Sequence, residues 1–106
     1  MKKLLRIFVW IACIDLVVTD AHSMTTNELL EFCSSRDAGK YGVCVGYTIG
    51  IVDSQEFQRK ICPPSRLTNG QKLDDIIAKV TKQKSPPPNL ALEGISAAAL
   101  ELYPCH

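Results

Sequence analysis

"CVGYTIGIVDSQ", residues 44–55, is the stretch on which the reading of this chain turns. It sets Gly46 and Gly50 one helical turn apart in an apolar run that Cys44 opens and Asp53 and Gln55 close. Glycines so spaced serve membrane-helix dimers, phosphate-cradling loops or tightly packed helices of soluble bundles. A membrane dimer needs a long apolar segment, and Asp53, Gln55 and Glu56 end this one. A phosphate loop needs a preceding strand and a longer glycine pattern, and neither is present. The helical period stands: Val45, Ile49 and Val52 line one side of a helix from Gly42 to about Gln58, while Val43, Tyr47, Gly50 and Phe57 line another. A helix apolar on two sides belongs in the middle of a bundle. Because a helix-interior Gly costs about 1 kcal/mol against Ala, a second helix is expected to approach closely over Gly46 and Gly50.

Three more helices follow from capping and breaking signals. Thr25 and Glu28 form a capping-box pattern ahead of Leu29, Leu30 and Cys33. The polar residues 34–40 end that helix, with Gly39 free to take a positive φ angle. Cys62, Pro63 and Pro64 break the central helix. Thr68 and Gln71 repeat the capping box before Leu73, Ile76, Ile77 and Val80, and Lys79, Lys82 and Lys84 suit the negative end of the third helix. Pro86, Pro87 and Pro88 form an extended spacer, after which Asn89 can cap a last helix carrying Leu92, Ile95, Ala99 and Leu102. The fold class is therefore all-α: a small bundle of about four antiparallel helices.

The chain has 106 residues, room for one core. Lys2, Lys3 and Arg6 precede an apolar run over residues 7–14, and Ala21 and Ser23 supply the small residues of a cleavage site. That is the layout of a secretory signal peptide over residues 1–23, leaving a single domain over 24–106. The run is too short to span a bilayer and Asp15 interrupts it, so no membrane attachment is expected after cleavage. Once Lys2, Lys3, Arg6, Asp15 and Asp20 are set aside, acidic and basic side chains are equal in number. Such a balance gives no electrostatic case for nucleic acid.

Cleavage also removes Cys13 and leaves Cys33, Cys44, Cys62 and Cys105, an even set in a short exported chain. Zinc would want close Cys pairs, which are absent. Four cysteines allow three pairings; a bundle that runs up and down favours Cys33 with Cys44 and Cys62 with Cys105.

Candidate chemistry is sparse. His106 is the one histidine after residue 23, and the remaining cysteines are assigned to bridges, so no nucleophile has a base beside it. Asp53 and Glu56 lie one turn apart but read as a solvated pair served by Arg59 or Lys60, and Asp74 and Asp75 suit a helix N-terminus better than a metal. No enzyme, metal or cofactor is expected.

Taken in order, "CVGYTIGIVDS" (44–54), "ICPPSRLTNGQ" (61–71) and "LYPC" (102–105) resemble the Rap/Tai family of type VI secretion immunity proteins. The likeness rests on Cys44, Gly46, Tyr47, Gly50 and Asp53, then Cys62, Gly70 and Gln71, then Tyr103, Pro104 and Cys105. It implies a periplasmic helical protein of a Gram-negative bacterium that binds a cognate secreted cell-wall amidase effector and occludes its active site. Those motif positions read as scaffold: staples, close packing and caps. The contact surface is expected instead on the loop over residues 34–41, with Arg36, Asp37, Lys40 and Tyr41 as contacts. Arg59, Lys60 and Arg66 form a second basic patch, a homodimer is possible, and a periplasmic chaperone or stress-response binding protein is the alternative function.

Overall fold

The computed structural model describes residues 23–83 and 90–106. All but one residue of the expected signal segment, the three spacer prolines and the Asn89 cap lie outside that set. Four helices follow in order: α1 (Thr26–Ser34), α2 (Ala38–Phe57), α3 (Asn69–Lys82) and α4 (Ala91–Leu102), with no named strand among the described residues. The all-α expectation holds.

Each helix starts for a local reason, and the starts of α1 and α4 differ in detail from the sequence reading. Thr68 and Gln71 close a full capping box, Gln71 N–H donating to Thr68 Oγ1 at 3.2 Å and Thr68 N–H to Gln71 Oε1 at 2.9 Å. Thr25 makes half of one: its Oγ1 accepts from Glu28 N–H at 3.1 Å, but the Glu28 carboxylate takes the Thr25 hydroxyl instead of reaching back to the backbone. The N-cap of α4 is Leu90, without a side-chain cap; Ala91 N–H donates to Met24 O at 3.0 Å, so the start of α4 is tied to the start of α1.

Proline does not end α2. The helix closes at Phe57 in a Schellman motif, with Arg59 N–H on Glu56 O at 3.0 Å and Lys60 N–H on Gln55 O at 2.9 Å. Arg59 holds φ 58°, a left-handed conformation usually given to glycine that costs an arginine roughly 1 kcal/mol. Pro63 and Pro64 come after the chain has already turned.

Side-chain pairs give the packing directions. Gln83 Nε2 donates to Gly94 O at 3.2 Å, Lys79 pairs with Glu101 at 2.7 Å, and Tyr103 Oη donates to Asp75 at 3.2 Å. Descending α3 therefore matches ascending α4, so the two are antiparallel. The main core lies between the helices and holds Leu29, Val52, Ile61, Ile76, Val80 and Ile95, with Ala91, Ala98 and Ala99 letting α4 sit close. Gly94 sits where α4 comes close to other elements: a Cβ there would lie 3.4 Å from Gln83 Oε1 and 3.7 Å from Thr26 Oγ1.

Both disulfides pair as the topology favours, Cys33 with Cys44 across 11 positions and Cys62 with Cys105 across 43. Loop entropy assigns them at most about 3 and about 4 kcal/mol. In a core this small, contributions of that size are comparable with the whole stability.

Candidate functional site

The loop expected over residues 34–41 is mostly helix. Because α1 runs through Ser34 and α2 starts at Ala38, the connection shrinks to residues 35–37. The cause is Asp37, whose Oδ1 accepts from Lys40 N–H at 2.9 Å and so starts α2 inside what reads as loop. Gly39 is helical, and no glycine among the described residues has a positive φ. Lys40 and Tyr41 consequently stand on the first turn of α2, Tyr41 at 43 % exposure, with Arg36 exposed on the connection beside them. The structure thus brings Arg36, Asp37, Lys40 and Tyr41 to one end, fastened by Cys33–Cys44. Asp37 differs from the others because its carboxylate is occupied by the cap. Neither Arg36 nor Lys40 has an ion-pair partner among the described residues.

Along α2 the structure overturns one expectation. Cys44, Thr48, Ile49 and Val52 form its buried side, while the second apolar line faces outward. Val43 is 45 % and Phe57 89 % exposed, and Tyr47 is half-buried. At Gly42, Gly46 and Gly50 an added Cβ would meet nothing within 4 Å among the described residues. No helix of the described residues approaches over the Gly46 and Gly50 pair. Asp53 is also exposed, and its neighbour Glu56 pairs with the buried Lys72 of α3 at 3.7 Å, not with Arg59 or Lys60.

Between α2 and α4 this outward face borders a groove of about 440 Å³. Tyr47, Gly50, Ile51 and Leu92 give it apolar walls, and Gln55 and Lys60 lie toward the α2 end. Leu92 of α4 is 49 % exposed. A smaller recess of about 300 Å³ lies between α1 and α3, lined by Leu30, Cys33 and Ile77. Its hydroxyls are already committed, Ser34 to Leu30 O at 2.9 Å and Thr81 to Ile77 O at 2.7 Å.

The remaining motif residues divide by task. Gln71 caps α3, and Gly70 sits in the first turn of that helix. Tyr103 is 5 % exposed and locks the end of α4: its carbonyl accepts from Cys62 N–H at 2.9 Å beside the second disulfide. Burial first, then the charge and hydrogen bond of Asp75, push its phenol up to about 12. Pro104 follows, exposed. Gly46, Gly50 and Asp53, by contrast, do no packing or capping work visible in the described fold.

Among the described residues no group of three or more His, Cys, Asp or Glu could hold a metal. The fold is that of a small, disulfide-stapled helical protein. The chain belongs to the Rap1a immunity proteins, whose family pattern matches it over residues 25–105. Comparison with curated proteins and with solved structures finds no match. Membership makes this chain an immunity protein, whose counterpart is a cognate effector. No helix of the described residues is long and apolar enough to cross a membrane.

The sequence reading did not select Phe57, Gln55 or Leu92 as surface residues. A signal for the first existed: Phe57 ends its apolar line just before Gln58, Arg59 and Lys60, a polar run that marks solvent.

Proposed function

We propose that this protein is exported through the signal segment at residues 1–23, and that in the periplasm it binds a type VI secreted peptidoglycan amidase and blocks its cleft. Family membership over residues 25–105 carries the reading. Two formed disulfides agree with an oxidising compartment. Occlusion by contact requires a rigid projection, since ordering a flexible one at the moment of binding would weaken the complex. The end built by Arg36, Lys40 and Tyr41 meets that need. Cys33–Cys44 pins it, the Asp37 cap fixes the helix start, and Tyr41 offers an exposed aromatic of the type that dominates interfaces.

The test delivers a type VI cell-wall amidase of the producing strain to the periplasm of cells with and without this protein. Protection from lysis is the expected result, and equal lysis in both would end the proposal. Replacing Tyr41 and Arg36 together by Ala should weaken the complex by about 2 kcal/mol with an unchanged melting temperature. A large loss of stability with intact binding would instead make that end a structural one.

A further inference from the structure

We infer that the groove between α2 and α4 is a docking site for a loop of the partner protein that carries an apolar side chain next to a carboxylate. The inference rests on the proposal that this chain binds a protein effector, and adds a second contact away from Tyr41.

Three independent features of the groove specify its occupant. Its volume of about 440 Å³ falls in the range of roughly 300–1,000 Å³ found for binding clefts, and Tyr47, Ile51 and the half-exposed Leu92 give it walls that an apolar side chain would cover. Gln55 Oε1, in the same lining, is buried and has no hydrogen-bond partner among the described residues. Such an acceptor is costly unless an N–H reaches it, and a partner's main chain supplies one. Lys60, the cation of the lining, is exposed and has no acidic partner among the described residues, because Glu56 is held by Lys72. Apolar contact, a donated N–H and a carboxylate for the ammonium together describe a peptide segment. A lipid surface would use the cation and the apolar wall but leave Gln55 unsatisfied.

Gly50 makes the idea testable without unfolding the protein. A Cβ added there would meet nothing within 4 Å among the described residues, and a side chain relieves the glycine penalty within a helix, so Gly50→Leu should fold at least as well while filling the groove. The probe is the amidase of the protection assay, rendered inactive, titrated into wild-type, Gly50→Leu and Lys60→Glu proteins. Expected are a melting temperature held or raised in Gly50→Leu, affinity lowered about tenfold or more in both variants, and movement of the Gln55 side-chain amide signal in the wild type on binding. If the wild type binds and protects while Gly50→Leu binds equally well, the groove is no docking site and the immunity proposal stands. If Gly50→Leu alters self-association and leaves effector affinity unchanged, the groove holds a second copy and the inference is overturned. Should the wild type neither bind nor protect, the proposal beneath the inference fails with it.

Discussion

The two sides of α2 have nearly equal claims to burial on sequence, and the fold treats them in opposite ways. On one side Cys44, Thr48, Ile49 and Val52 are enclosed by the other helices. On the other, Gly42, Gly46 and Gly50 are open and Phe57 projects. Hydrophobic period identifies a helix and its apolar lines; it does not say which line its own chain will cover. Where a small protein leaves one line uncovered, that line is what it has to offer another molecule.

The contrast can be broken most easily at Ile49. Truncating it to Ala should cost about 3 kcal/mol, read from the urea midpoint, since the side chain is enclosed and a cavity remains. A loss below about 1 kcal/mol would mean that the inner side is as loosely covered as the outer. Gly46→Ala tests the other side and should stabilise by about 1 kcal/mol, because nothing stands where the methyl goes and Ala is the better helix former. Destabilisation would reveal a neighbour over that glycine. Thr48 sharpens the inner side: its Oγ1 is buried without a hydrogen-bond partner among the described residues, so Thr48→Val should raise the melting temperature, by an amount worth about 1 kcal/mol or less. Smallest of all, Phe57→Ala should change stability by less than about 0.5 kcal/mol, as expected for a side chain that is 89 % exposed. A thermal melt checks it, and a marked loss would show that the ring packs in solution.

Much of the scaffold was legible before the fold was seen. Thr68 and Gln71 announce their helix because both halves of the cap lie within one turn of sequence. The cysteine pairs follow from helix ends meeting at opposite poles, a matter of topology more than of spacing. Less legible were places where one residue can serve two structures. Asp37 and Gly39 read as loop, yet the same Asp starts a helix once its carboxylate finds Lys40 N–H. Arg59 carries no mark of the left-handed turn it makes, because the turn is held by backbone bonds to Glu56 and Gln55. The candidate groove was invisible for a further reason. It joins Gly50 and Ile51 of α2 to Leu92 of α4, and only packing brings those together. Arg36, Lys40 and Tyr41 were selected by type on an expected loop, whereas Lys40 and Tyr41 stand on the first turn of α2 and Arg36 on the short connection before it.

The unequal spans of the two disulfides set a timetable for maturation. On the proposed route of export the chain emerges from its N-terminus, so Cys33 and Cys44 reach an oxidant together and can close while α3 and α4 are still unformed. Cys62 then waits as a free thiol until Cys105 follows the last helix out. During that interval its available partners are the two cysteines already bridged, and thiolate attack on them would give a wrong pairing. Among Cys33, Cys44 and Cys105, early closure of the first bridge leaves Cys62 no free wrong partner, and exchange at either sulfur of that bridge is what a disulfide isomerase would have to guard against.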